Sequence, residues 1–327
     1  MTARTRRNPP RRSEPPGRES NALAAWQVAA ERQLSLDVPR VMGILNVTPD
    51  SFSDGGAYAS ADAAVEAALR MINEGAAIID IGGESTRPGA QSVSEDEQMR
   101  RVLPVIERLR ARGIVSGAGE RVLISIDTTR AAVALAALEA GAGIINDVSA
   151  GTDDAGMLPL AASRACGLIL MHRWKKPPED IYSTEYAREP DYGGDVYGYV
   201  REFLRQRALE AVKAGVRREA IVVDPGLGFG KSVEQNRELM RRLGALQRDL
   251  DRPALSAASR KSFLSRWIEQ ATGEKADPNP ASRERMAASV GVTLSHWQQG
   301  VRLFRVHDVW HHAQALQVVT EMARPVQ

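Results

Sequence analysis

The chain has 327 residues, 43% of them hydrophobic, which is enough for a substantial core and excludes disorder along its whole length. Its 43 basic and 41 acidic residues give a net charge of +2, and six arginines against two glutamates in residues 1–20 leave the remainder slightly acidic, so no global field calls for a nucleic acid. A single cysteine, Cys166, excludes an internal disulfide framework and suits a reducing, cytoplasmic compartment, and no apolar run approaches the ~20 residues of a membrane span.

In chain order, Met1 to about Ser20 carries Pro9-Pro10 and Pro15-Pro16 among its arginines and no apolar segment, and reads as a disordered leader, not a secretory signal. From about Arg40 short apolar runs recur: Val41–Leu45, Ala77–Ile81, Val122–Ile126, Gly143–Ile145, Gly167–Met171, Ile221–Val223, Pro253–Ser256 and Leu303–Val306. They lack strict alternation, as strands buried on both faces do. Helix-like stretches separate them: Ala61–Glu74, Glu95–Arg110, Thr129–Ala140, Tyr197–Ala214, Val233–Leu243 and Arg283–Gln299. Ser94 with Glu97 gives a capping-box signature, and Gly75, Gly141 and Gly215 stand where helices should stop. Eight such units over ~280 residues predict a (β/α)8 TIM barrel of the α/β class. The expected domains are the leader at 1–20 and the barrel at 21–327. An open doubly wound sheet is the rival, but its dinucleotide form should open with a glycine-rich turn where Leu45-Asn46-Val47-Thr48-Pro49-Asp50 stands. Gly113–Glu120 reads as a surface loop, and Arg173–Asp195 as a long irregular connection of the kind that often carries function.

Polar residues gather at the C-terminal ends of the strands: Asn46, Asp80, Asp127, Asn146 with Asp147, His172, Asp224, and Arg305 with His307. Barrel closure brings those ends into one mouth, the face that holds active sites in this fold. Asp127, Asn146 and Asp224 suit a flat, donor-rich heterocycle, although each carboxylate could instead cap the next turn. Ser259-Arg260-Lys261-Ser262 and Arg305-Val306-His307-Asp308 form a cationic half suited to phosphate or carboxylate at a helix start, with Arg260 open to a structural ion-pair role. Asp224–Lys231 has three glycines and Phe229, and lets backbone approach a ligand closely. Asn46 alone is a poor metal site, but magnesium commonly takes one or two protein oxygens and completes its shell with water and phosphate. His307 and His311 have the spacing of a helical zinc pair, yet the lone thiol and the place of His307 near a strand end speak against zinc. His172 is open between a general base and a packing residue.

Together, Val41–Gly56, Ala77–Gly89, Ile126–Thr128, Ile144–Val148, Asp224–Lys231, Ser259–Phe263 and Arg305–Val309 closely resemble the dihydropteroate synthase family of the folate pathway, in order, from about Leu34 to Ala323. The resemblance implies a transferase that joins 7,8-dihydropterin-6-ylmethyl diphosphate to para-aminobenzoate and releases pyrophosphate. It implies that Asp127, Asn146, Asp224 and Lys261 hold the pterin, and that Asn46 ligates Mg²⁺ on the diphosphate. Arg87, Arg305 and His307, with Val306 inside the same motif, would grip the phosphates. Thr86, Pro88 and Ser262 would form the para-aminobenzoate site, with Phe229 of the glycine-rich turn beside the substrates. Asp127, Lys261 and Arg305 would carry the catalysis. Thr48–Gly56 and Ser85–Ala90 resemble the family's mobile covers, and a homodimer and sulfonamide inhibition are further family expectations. The chain departs from the pattern in four places. Arg173 follows Met171-His172 where a methionine is usual, Ala257 replaces a glycine beside the pterin, His296-Trp297 replaces smaller residues, and Arg130 replaces a lysine. Arg173 and Ala257 are both expected to bear on the fit of the ring. The other readings are a non-catalytic or altered-specificity pterin-binding homologue and a pterin-binding methyl-transfer module; Asn46, Thr86-Arg87 and Arg305-Val306-His307 favour diphosphate handling over the latter.

Overall fold

A computed structural model of the chain describes residues 23–48, 56–114 and 122–324. The leader at 1–20, most of the Thr48–Gly56 cover and most of the Gly113–Glu120 loop lie outside the described residues. Eight parallel strands make the sheet: β3 (Arg40–Asn46), β4 (Ile78–Gly82), β5 (Leu123–Asp127), β6 (Ile144–Asp147), β7 (Gly167–Met171), β8 (Ile221–Asp224), β9 (Leu255–Ser256) and β10 (Leu303–Val306). Their order is β8-β7-β6-β5-β4-β3-β10-β9, and a parallel bridge from Val223 to Ala254 brings β8 to β9 and closes the barrel. The doubly wound alternative is thereby excluded.

Each central strand is buried on both faces, which is why its sequence does not alternate. Inward residues Met42, Ile78, Leu123, Ile169, Val222 and Leu303 form one apolar layer, while Val41, Ile79, Ile124, Ile145 and Phe304 pack outward under the helices. The expected helices appear as α1 (Gly56–Asn73), α2 (Glu95–Ala111), α3 (Ala131–Ala140), α5 (Val196–Lys213), α6 (Val233–Arg241) and α9 (Arg283–Gln298). Four more complete the ring: α4 (Met157–Arg164), α7 (Leu243–Leu250), α8 (Phe263–Thr272) and α10 (Val309–Met322).

Local chemistry departs from expectation at the N-terminus of α2. Ser94 accepts from the Glu97 amide, but the Glu97 carboxylate turns to Arg100 and Arg101 instead of completing the box. The reciprocal capping box is at Ser232 and Gln235, ahead of α6.

A hairpin of β1 (Ala25–Ala29) and β2 (Arg32–Ser35) precedes the barrel and was not anticipated. Trp26, Val28 and Leu36 join the inner apolar layer, and the Trp26 indole donates to the Ala220 carbonyl at 2.9 Å. The hairpin plugs the end of the barrel opposite the strand C-termini, so the inner layer meets protein and not water.

Candidate active site

Two residues beyond the apolar layer, the inward positions turn polar. Asp80 on β4, Ser125 on β5, Asn146 on β6, Asp224 on β8 and Arg305 on β10 face the axis, followed one step higher by Asn46, Gly82 and Asp127. Gly82 lies opposite Asp127 in the ladder, and a Cβ there would stand 3.4 Å from that of Asp127 and 3.7 Å from Asn46 Oδ1.

Arg305 is the hub. Its Nε donates to Asp80 Oδ2 at 2.7 Å, its Nη2 to Asp127 Oδ2 at 2.6 Å, and Asn146 Nδ2 donates to the same Asp80 oxygen at 3.0 Å. Asp80 Oδ1 and Asp127 Oδ1 are buried with no hydrogen-bond partner among the described residues, so two acceptors await donors. Burial pushes the Asp127 carboxyl up to about 7; Arg305 opposes that rise, and the Asp80, Asp147 and Glu84 charges add to it. Burial also works against the Arg305 charge, yet Asp80 and Asp127 hold the guanidinium above its ordinary range. Asp224 is likewise raised by burial, although its Oδ1 accepts the Gly226 amide at 2.7 Å.

The glycine-rich segment after β8 brings backbone against the site. Gly226 has φ of +67°, and a Cβ there would meet the His172 carbonyl oxygen at 1.8 Å, so no side chain fits. Gly228 has φ of +80° and lies against the Lys261 side chain, whose Nζ stands 4.1 Å from the centre of the Phe229 ring. Burial, then Arg305, lowers the Lys261 ammonium to about 8, against the pull of Asp224, Asp127 and Asp180. Lys231, fully buried, donates to the Gly226 and Phe229 carbonyls, both at 2.9 Å, and meets His172 Nδ1 at 3.0 Å. His172 packs among Tyr192, Tyr199 and Phe203, and burial followed by Lys231 holds its ring well below the usual imidazole range. It packs at 1% exposure beneath the glycine-rich turn and does not line the cavity described below.

A cavity of ≈ 540 Å³ opens above these groups, lined by Asn46, Thr86, Arg87, Pro88, Phe229, Lys261, Ser262, Arg305 and His307, among others. Asp127, Asn146 and Asp224 are buried behind that lining. Ser262 precedes α8, makes no side-chain cap and lines the cavity. The loop with Thr86 and Pro88 is braced where the Gly89 amide donates to the Pro177 carbonyl at 2.8 Å.

The structure corrects some expectations and decides others that were open. Val306 points outward into the core beneath the helices, because only alternate residues of β10 face the axis. His307 enters the cavity as a neutral ring, since burial, then Arg260, Arg305 and Lys261, lowers it to about 3. Its Nδ1 lies 3.2 Å from Ser259 Oγ. Arg260 is a structural partner: its guanidinium pairs with Asp308 on the next loop. Asp147 turns away to accept from Ser149 and Gly151. Arg173 pairs with Asp153 and is absent from the cavity lining; Ala257 does line it.

Sequence reasoning missed Arg285 on α9. It lines the cavity at 6% exposure, with Nη2 on Ser265 Oγ at 2.6 Å, a buried Nε lacking a partner, and no carboxylate partner among the described residues. Its place inside a helix, far from any strand end, carries no local signal. Tyr182, Thr184 and Glu185 of the long connection after β7 were also unforeseen as cavity wall.

The family described as pterin binding enzymes matches residues 42–307. A dihydropteroate synthase of Mycobacterium leprae is 43% identical over 287 residues, covering 88% of this chain and 94% of that protein. A Xanthomonas albilineans dihydropteroate synthase solved with 4-aminobenzoic acid superposes with a TM-score of 0.77 at 41% identity, over 92% of this chain and 100% of that one. The structure of dihydropteroate synthase from the same organism in complex with 7,8-dihydropteroate gives 0.74 at 39% identity, over 91% and 100%.

Proposed function

The chain belongs to the pterin binding enzyme family, and from that premise we propose that it works as a dihydropteroate synthase, condensing 7,8-dihydropterin-6-ylmethyl diphosphate with para-aminobenzoate to give dihydropteroate and pyrophosphate. The observation that carries this reading is the polarity of the site: buried acceptors at Asp127, Asn146 and Asp224 stand behind a cavity whose lining supplies Arg87, Lys261, Arg305 and Arg285. A pterin offers ring N–H donors to the first set, and diphosphate and carboxylate suit the second.

In the reaction, the bond between the pterin methylene and the diphosphate oxygen breaks, and its electron pair leaves with the diphosphate. The ring delocalises the positive charge left on the methylene, with the Asp127 carboxylate close by. The aryl amine lone pair then forms the C–N bond, and the nitrogen gives up its proton to water or to the released pyrophosphate. Lys261, flanked by Phe229, helps hold the pterin edge. Arg305 has Nε and Nη2 engaged and directs its remaining N–H groups at the departing charge, joined by Arg87 and the neutral His307 ring as a donor. Thr86, Pro88, Ser262 and Arg285 receive the aryl acid, Arg285 as its counter-charge. No covalent nucleophile is needed, and the lone thiol, Cys166, is buried and pushed up to about 12. Positioning and fixed charge supply the catalysis.

Magnesium fits this donor set. Among the described residues no group of three or more His, Cys, Asp or Glu could cage a metal, whereas the Asn46 amide on the cavity wall suits an ion whose other ligands are water and phosphate oxygens. Bound there, it would neutralise diphosphate charge. The homodimer belongs to the same reading, and sedimentation of the purified chain tests it. No described helix is long and apolar enough to cross a membrane.

The deciding experiment is pyrophosphate release from the pterin diphosphate, with and without para-aminobenzoate and with and without Mg²⁺. Release that depends on both, with dihydropteroate formed in equal amount, is expected. Tight pterin binding with no product would reject the synthase in favour of a non-catalytic pterin binder.

A further inference from the structure

Asp80 is buried at 1% exposure and was assigned no substrate, yet one of its oxygens is shared by two residues of the site. Arg305 Nε reaches Asp80 Oδ2 from a strand 225 positions away in sequence, and Asn146 Nδ2 reaches it from β6. A carboxylate held against a guanidinium has only acceptors to offer. The Asn146 group facing it must therefore be the NH2, which leaves the Asn146 carbonyl oxygen free to face the ligand. Arg305 is fixed at the same time, because a planar guanidinium engaged by Asp80 through Nε and by Asp127 through Nη2 cannot rotate about its plane without breaking one bond.

We infer that Asp80 is a positioning residue for the condensation: it sets the Asn146 amide with its oxygen toward the pterin and locks the Arg305 guanidinium between two carboxylates. This rests on the reading of the chain as a pterin enzyme. A pterin-facing amide with the wrong polarity would set NH2 against a ring N–H and lose recognition at the ring, while the aryl amine, held elsewhere in the cavity, would feel little.

Asp80→Asn tests this, because the new amide can meet Asn146 with either end and so removes the bias on its orientation. The dissociation constant of an unphosphorylated dihydropterin should rise about 10-fold, equivalent to ~1.4 kcal/mol, and the KM for the pterin diphosphate should rise with it. The KM for para-aminobenzoate should stay within about twofold, since none of its contacts is altered. Unchanged pterin affinity in the folded variant overturns the inference, and so does an equal rise in both KM values, which would mark general loosening. The wild-type protein gives a second measurement that needs no variant. Neutron diffraction from deuterated crystals should place two deuterons on the Asn146 atom facing Asp80 and none on the Asp80 carboxylate; the reverse overturns the assignment. Wild-type turnover is scored separately, so failure of the synthase reading and failure of the Asp80 role are distinguishable.

Discussion

At Asp127 two effects of opposite sign meet. Burial disfavours the charged carboxylate and lifts it to about 7, while the Arg305 guanidinium 2.6 Å away favours it. The ionised form is the one that can face a developing cation, so the raised value sets a direction: the working form is lost as pH falls below about 7. We predict that kcat/KM for the pterin substrate climbs with pH through that value and that Asp127→Ala lowers kcat by about 100-fold or more and abolishes that limb. Near-normal kcat/KM in the variant would refute the electrostatic role. His307 teaches the complementary lesson. In a chain its neighbours Arg305 and Asp308 leave the net field undecided, but in the barrel burial, followed by Arg260 and Lys261 brought from another strand end, holds the ring neutral.

The β1–β2 hairpin belongs to the element scale. Nothing in Ala25–Ser35 marks it as part of the barrel, and its worth lies in what Trp26 covers: the first inward layer of the strands. A Cβ on Gly167 would approach the Trp26 ring to 3.0 Å, so the indole packs directly against the start of β7. Trp26→Ala should cost about 3–5 kcal/mol in unfolding free energy, read as a fall in the denaturation midpoint. The kcat of the folded fraction should stay close to wild type, because the plug and the site are at opposite ends. A stability change below about 1 kcal/mol would mean that the hairpin is an ornament and not a plug. The connection after β7 behaves differently, as a braced wall: Tyr192 donates to the Gly230 carbonyl and the Gly230 amide to Asp180, both at 2.8 Å, which ties it to the glycine-rich turn beneath the substrates.

For the molecule as a whole, closure is uneven. β3 and β4 share five paired positions, whereas β9 has two residues and meets β8 through the single Val223–Ala254 bridge. Native-state hydrogen exchange should open that seam first, with the Val223 and Leu255 amides exchanging at least about 10-fold faster than those of Ile79 and Ile124; equal protection around the ring would contradict a weak seam. The eight strands, six of the helices and the ring of polar strand ends were legible in the sequence because apolar runs and their spacing are local facts. Lys261, Asp127 and Arg305 could be named for the same reason, since each ends or follows a strand. Three things were not legible: which neighbours on one strand face inward, as with Val306 pointing away; which distant cation enters the cavity, as with Arg285; and which charges cancel, as with Arg260 on Asp308 and Arg173 on Asp153. The sequence by itself determined the barrel and the chemical types at its mouth, because burial periodicity and strand length are written residue by residue. Only the tertiary structure decided pairing, protonation and depth, because those depend on distances between residues tens to hundreds of positions apart, and the free energy of a buried charge is set by what closure places beside it.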